Sequence, residues 1–387
     1  MSSSPAPPKT ASSLLGIPEP TGRAIRLAGA FAFAVVMEWM PVTAEAQEDH
    51  AASRTIGDAT FMLPALADSA FVLTEFGLRQ GINYETIPDF PVSSFARYNL
   101  SWVEFEERVD LAVRITPWIG LYAQGVASVA LGPDAASLLF EGGGLDFGGK
   151  GGVVFRLYRN DRIRSQVAVR AYAGGDGGRT LDLPDFLEAV AVRAANGAAG
   201  AVQNSATPQQ LAGQFENQAL SLADTNFSNI VFYRTSTIRI GGSIHYAQGL
   251  VGPLTLQVAA IVEQSWSSEK PYSSSLNGFE NLSTTDTAVT FDAVLSASLS
   301  RWSIPLGLSA EYAGVTAEAS VDGVNANGST TTQYVGGGVW YTGRRGVEIG
   351  VLAFTQRSLR PIDGFDTTSS SGKPSGYSGA FIFRALW

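Results

Sequence analysis

The feature that most constrains this chain is an alternation of apolar and polar residues with a period of two, repeated in segment after segment. Val109, Leu111, Val113 and Ile115 alternate with Arg108, Asp110, Ala112 and Arg114. Val153, Phe155 and Leu157 alternate with Arg156 and Tyr158, and Val167, Val169 and Ala171 with Gln166, Ala168 and Arg170. Ile238, Ile240 and Ile244 alternate with Arg239, Ser243 and His245; Leu254, Leu256, Val258, Ala260 and Val262 with Thr255, Gln257 and Glu263. Val289, Phe291, Ala293, Leu295 and Leu299 do the same against Thr290, Asp292, Ser296 and Ser298. Successive side chains of a strand point to opposite sides, so this pattern builds strands with one apolar and one polar face. On a helix the same apolar residues would be scattered around the cylinder.

Strands of this kind belong either to a soluble two-sheet sandwich or to a closed antiparallel barrel in a membrane. The faces that read as outward carry almost no charge, and short turns alternate with long loops, both as in a barrel. Composition agrees. The chain is 45% apolar and only 16% charged, against roughly 25% charged for a soluble domain. Yet no stretch reaches the ~18 apolar residues of a helical span. The expected fold is an all-β, transmembrane, antiparallel up-and-down barrel of about 12 strands, with a long, partly helical loop.

That barrel should occupy residues 71–387. Its first strand is predicted over 71–84 and its second, unbroken, over 98–116. The pattern is lost over 331–341, where residues 336–338 are all glycine. Short turns at Thr116-Pro117, Asn160-Asp161, 249–253, Arg301 and 343–346 are assigned to the periplasmic side. The connections 85–97, 131–149, 174–234, 267–284, 316–330 and 358–375 then face outward. Leu183, Phe186, Leu187, Val190 and Ala194, and again Leu211, Phe215 and Leu222, have helical spacing. They predict amphipathic pieces that fold into the mouth or lie over it.

Residues 1–46 read as an N-terminal extension and a secretory signal. Arg23 and Arg26 supply the positive charge, residues 27–37 the short apolar run, and Ala44-Glu45-Ala46 the cleavage site, leaving Gln47 as the new N-terminus. About 11 apolar residues are too few to cross a ~30 Å hydrocarbon core, so the segment reads as cleaved rather than as an anchor. Residues 47–70 are expected to form a flexible arm ahead of the barrel.

At the other end, Gly379-Ala-Phe-Ile-Phe-Arg-Ala-Leu-Trp387 places Phe381, Phe383, Ala385 and Trp387 on one face and Arg384 on the other. This run resembles the C-terminal strand by which bacterial outer-membrane proteins are recognised for insertion, although the usual last residue there is Phe. The resemblance implies a porin-like outer-membrane barrel, with Phe381, Phe383 and Trp387 as the insertion signal read by the barrel-assembly machinery. A weaker likeness, to the hydrophobic-compound channels related to the fatty-acid transporters, rests on the segment before the barrel that can act as a hatch. The Asn-Pro-Ala start of those proteins is missing here.

Most other chemistry is excluded. There are no cysteines, hence no disulfide, thiolate metal site or lipid-modified cysteine anchor. A net charge of −9 argues against nucleic acid. Gly144 to Lys150 (GLDFGGK) imitates a phosphate-binding loop, but Gly151 stands where a Ser or Thr is needed and a strand follows instead of a helix. Ser243 and His245 share a strand face and can hydrogen-bond, yet they face the lumen, where a satisfied wall residue is the plainer reading. No His or carboxylate cluster has metal-ligand spacing, and no cofactor is expected.

What remains is charge on the inward faces. Arg108, Arg114, Arg156, Arg164, Arg170 and Arg239 fall on inward phases in the first half of the strand order. Glu263, Asp286, Asp292, Glu311 and Glu348 do so in the second. If sequence neighbours are wall neighbours, one side of the lumen is basic and the other acidic. Such a wall either sets a transverse field across a wet channel or pairs charges across a narrow lumen. The expectation is a bacterial outer-membrane channel and not an enzyme. It would pass small solutes through a polar lumen and meet outer-membrane lipid and the assembly machinery as partners. The alternatives are a hydrophobic-compound channel with an N-terminal hatch, or a closed structural or surface-binding barrel.

Overall fold

The computed structural model describes residues 54–93, 96–133, 137, 143–181, 232–270, 272–273, 278–279, 281–321, 324–344, 346–359 and 373–387. In chain order the strands are β1 (Thr55–Ile56), β2 (Ala59–Thr60), β3 (Glu75–Ser93), β4 (Ala96–Arg114), β5 (Ile119–Leu131), β6 (Gly143–Asn160), β7 (Ser165–Leu181), β8 (Phe232–Gly249), β9 (Leu254–Glu269), β10 (Tyr272–Ser273), β11 (Gly278–Phe279), β12 (Leu282–Ser298), β13 (Leu306–Val321), β14 (Val324–Tyr341), β15 (Val347–Ser358) and β16 (Ser375–Leu386). Among the described residues no helix is long and apolar enough to cross a membrane.

β3–β9 and β12–β16 form a closed barrel in which each strand lies beside its neighbours in sequence. Every pairing is antiparallel, and the ring is shut by β16 against β3, from Leu386↔Glu75 to Ser375↔Thr86. Closure removes the exposed edges that an open sheet would present, and within hydrocarbon every strand amide needs a partner. The strands span 12 to 19 residues, whereas crossing a bilayer takes about 9–11. The longer strands, of 16 to 19 residues, therefore project well past the membrane on the long-loop side.

This projection is where sequence and structure part. β3 begins at Glu75 rather than 71, and β6, β7, β8, β13 and β14 continue through segments expected to be loop. Beyond the membrane both faces of a strand meet water, so the apolar–polar alternation stops while the hydrogen bonding does not. Ser329, Thr330, Thr331, Thr332 and Gln333 are polar on both faces, yet they pair in register with β13. The triple glycine belongs to β14. A Cβ at Gly336 would run into the Phe354 ring, and one at Gly338 would crowd Leu352. The missing side chains leave room for large residues of β15 that fill the lumen. The helical spacing noted between 182 and 231, and the signal residues Ala44, Ala46 and Gln47, lie outside the described residues.

The outer surface is banded. Ile240, Ile244, Val262, Phe291, Leu295, Val335, Val339 and Val351 are exposed on the outer face. Trp118, Tyr158, Tyr246, Trp302 and Tyr341 are exposed at the short-turn end, and Tyr84, Phe105, Phe147, Trp266 and Tyr377 at the other. An apolar band between two aromatic girdles matches a bilayer with its two interfaces. Glu107, exposed and on the same outward row as Phe381 and Gln80, is a charge on that outer face. The protein is thus a transmembrane barrel of the outer-membrane type. Val262, 54% exposed and paired with Val289, lies within the band, so Val262→Arg should cost about 2–4 kcal/mol of folding stability in lipid vesicles. Equilibrium denaturation followed by tryptophan fluorescence measures this, and a change below about 0.5 kcal/mol would show that the residue does not face hydrocarbon.

Candidate functional site in the barrel lumen

The lumen is occupied by the chain's own N-terminal segment. Residues 54–74, of which 54–70 belong to the stretch expected to be a flexible arm, pack inside the wall. Ile56, Ala59, Phe61, Met62, Leu63, Ala65, Ala67, Ala70, Phe71, Val72 and Leu73 are all buried. The segment enters at the short-turn end, where Gly57 N donates to Asp161 Oδ1 (3.1 Å) and Arg164 pairs with Asp58 (3.3 Å). It climbs to mid-barrel and returns to Thr74, whose carbonyl accepts the Trp387 amide (3.1 Å). Phe61 and Phe71, with ring centroids 5.1 Å apart, hold the two limbs together. Burying each such ring is worth about 2–3 kcal/mol.

Apart from the two-residue strands β1 and β2, the segment has no regular structure to satisfy its amides. The wall does so instead. Gln257 Nε2 donates to Met62 O (2.7 Å). Arg384 donates to Leu63 O (3.1 Å) and Pro64 O (2.5 Å), and Arg79 to Ala65 O (2.8 Å). Arg170 donates to Ser69 O (2.7 Å) and Gln166 to Ala70 O (2.6 Å). In the other direction Glu311 accepts the Ala65 and Leu66 amides, the latter at 2.7 Å, and Ser296 Oγ accepts that of Met62 (3.4 Å). Charged donors and acceptors make the stronger bonds of this set. The clamp therefore grips main chain, and the plug's side chains supply fit.

The inward residues named from the sequence distribute as follows. Arg108 lies on β4 and pairs with Asp110 (2.9 Å). Arg114, at the foot of the same strand, donates its amide to the Thr74 hydroxyl (3.0 Å). Arg156 is buried on β6. Arg170 meets the plug, and Arg239 pairs with Asp176 and more loosely with Glu263 (3.9 Å). Arg164 is different: it sits at the β6–β7 turn with φ +54°, outside the lumen wall. A turn of that conformation displaces the phase on which its inward placement was based. Of the acidic residues, Glu263 accepts the Tyr172 hydroxyl (2.8 Å) and Asp286 stands opposite Ser265. Asp292 is buried, and Glu348 is fully buried between Arg54 and Arg384. Phe381 and Phe383 lie on the outward face of β16, Phe381 being 42% exposed, and Trp387 follows the strand directly.

Ser243 Oγ lies 2.7 Å from His245 Nε2. His245 is 1% exposed and flanked by Ala168 and Ala259 in the wall, so the plugged barrel gives a substrate no approach to the pair. Several residues that matter escaped the sequence reading: Arg54, Asp68, Arg79, Tyr122, Lys150, Gln166, Tyr172, Gln257, Ser296 and Arg384. Their inward phase was legible for some, Arg384 among them. Their common partner was not, because a segment without periodicity announces no position.

A cavity of about 40 Å³ remains between plug and wall, bounded by Asp68, Tyr122, Arg108, Gln124 and Arg170. It has room for about three waters. Arg384→Met would remove two carbonyl bonds and one side of the Glu348 pair, costing about 3 kcal/mol. Trypsin should then cut the folded barrel after Arg54 at least about tenfold faster than the wild type. Equal cleavage rates would show that Arg384 does not hold the plug.

No family model matches the chain, and no curated protein matches it. Among solved structures it is similar to the β domain of the Bordetella autotransporter BrkA, at 11% identity and TM-score 0.45, covering 81% of this chain and 100% of that one. It is also similar to an outer membrane channel from Pseudomonas putida F1, at 11% identity and TM-score 0.45, covering 84% and 100%. A third is the translocator domain of the autotransporter NalP from Neisseria meningitidis, at 9% identity and TM-score 0.45, covering 81% and 88%. These likenesses are of general barrel shape, and the fold stated above rests on this chain's own strand pairing.

Proposed function

We propose that the protein is an outer-membrane channel for small polar solutes, closed at rest by residues 54–74 and opened when that segment leaves the lumen. The observation that carries this reading is the nature of the seal. The bonds that seat the plug run from polar wall residues to its main chain, and water can replace each of them at a net loss of about 0.5–1.5 kcal/mol where both partners are neutral and about 1.5–3 kcal/mol where one is charged. Apolar contacts fill part of the lumen, Met62 and Ala65 against Trp340, Leu352, Phe354 and Ile382, but a barrel meant to stay shut would gain by extending them, since buried charges seldom match well-packed hydrophobic residues in stability. A polar wall is of use to a lumen that fills with water.

The same hatch would serve a channel for hydrophobic compounds. The lumen beyond the plug favours polar solutes: Glu106, Asp146, Asp176, Arg239, Glu263 and Asp286 line it by register. Charged walls hold water and disfavour apolar passengers. The charge sorting along the strand order is part of this proposal, as a determinant of which small ions pass. Outer-membrane lipid and the barrel-assembly machinery are the proposed partners, and no enzymatic step is proposed.

Deleting residues 54–73 tests the reading. In planar bilayers the full chain should be closed most of the time, and the deletion variant should give a steady current. Folding of the variant is checked by its heat-dependent mobility on denaturing gels. A folded deletion variant without conductance would overturn the proposal.

A further inference from the structure

At the tip of the plug one carboxylate is seated in a site made for it. Asp68 Oδ2 lies 3.1 Å from Lys150 Nζ and 3.9 Å from Arg170 Nη1. Both cations rest on aromatic rings: Lys150 Nζ is 4.8 Å from the centroid of Tyr172, and Arg170 Cζ is 4.8 Å from that of Tyr122. Cations so placed over ring faces are held while their charge stays available. The wall is shaped for the rings. Tyr122, Gly152, Tyr172 and Gly241 form one inward row across β5–β8. A Cβ on Gly152 would strike the Ala171 carbonyl of the paired strand, and one on Gly241 would run into the Tyr172 ring. Gly241 thus lets the Tyr172 ring lie against the wall beneath Lys150. Hydrogen bonds fix the surroundings too, Tyr172 to Glu263 and Arg170 to Ser69.

The other charges lining the same cavity are Arg108 and Asp110, which neutralise one another (2.9 Å), and Glu75 and Arg384, one of each sign; Gln124 is bonded to the same Asp110 (2.7 Å). Take Asp68 away and the site keeps the two positive charges of Lys150 and Arg170, with no carboxylate among the described residues bonded to either. We infer that this is a binding site for a small carboxylate solute, occupied at rest by Asp68 as an internal stand-in, and that a free carboxylate competes with Asp68 and thereby releases the plug. The inference rests on the gated-channel reading and supplies its trigger and its solute class. A chain that carries its own competitor at the tip of its seal couples occupancy by solute to opening through one shared site.

The test uses potassium acetate as the probe. The chain has no cysteine, so a single Leu66→Cys variant, next to the site, can carry a nitroxide label whose mobility reports the plug whether or not current flows. Replacing chloride by acetate at constant ionic strength should mobilise the label saturably and raise the open fraction in bilayers several-fold. Asp68→Asn in the same background should be mobile in chloride already, with its open fraction raised about tenfold and its acetate response lost. Lys150→Met should also be loosened in chloride and should gain little from acetate. A label that is equally immobile in acetate and chloride, or whose mobility is unchanged by Asp68→Asn, would overturn this inference while leaving the gated channel standing. Equal responses to acetate, chloride and phosphate would overturn it as well, because a general screening of charge would then explain the release. A silent plug-deletion variant with a responsive label would sink the channel reading alone.

Discussion

The structure depends on one requirement: amides buried at membrane depth must find partners. In the wall the requirement is met by strand pairing and by closure of β16 on β3, which leaves no edge. Inside the wall it is harder to meet, because the plug segment between Phe61 and Thr74 has no regular structure of its own. Its carbonyls at Met62, Leu63, Pro64, Ala65, Ser69 and Ala70 take bonds from wall side chains. Its amides at Met62, Ala65 and Leu66 give bonds to Ser296 and Glu311. The barrel thus supplies, as side chains, what a neighbouring strand would otherwise supply as main chain.

This accounts for charges that would be costly in isolation. Glu348, fully buried, is flanked by an arginine from the plug and one from the wall, and Glu311 faces two main-chain amides. Buried ions of this kind are tolerated when their bonds are complete, and removing one partner is more damaging than never having had the pair. The same pairing ties plug and wall together energetically. Ordering the segment costs conformational entropy, which the packing of Phe61, Met62 and Phe71 offsets while the polar contacts determine where the segment sits.

The barrel was legible because its alternation is the direct imprint of a wall with lipid outside and polar surface inside. Leu254 to Val262 and Val289 to Leu295 kept their phase, and the observed register puts them on the outer face. Legibility failed where that imprint ends. Above the membrane, Ser329 to Gln333 are polar on both faces although they remain in β14. At the triple glycine the pattern was erased because Phe354 and Leu352 of the next strand needed the space. At Arg164 a left-handed turn moved a residue out of the wall. The inward arginines and carboxylates were visible as a set, but the sorted walls suggested partners across the lumen. The actual partners of Arg108 and Arg239 include carboxylates close by, and those of Arg170 and Arg384 lie largely on the plug.

The sequence by itself determined the architecture: which residues face lipid and which face inward. It could do so because a two-residue period on a closed sheet admits one assignment of faces, and a slip by one residue would expose every polar side chain to hydrocarbon. Only the tertiary structure decided that the lumen is filled, by which segment, and through which contacts. That segment is aperiodic, its contacts run from its main chain to residues scattered over the barrel, and main-chain groups are the same in every residue. Asp68 is an ordinary aspartate in the sequence; it acquires a role only because the fold carries it to Lys150 and Arg170.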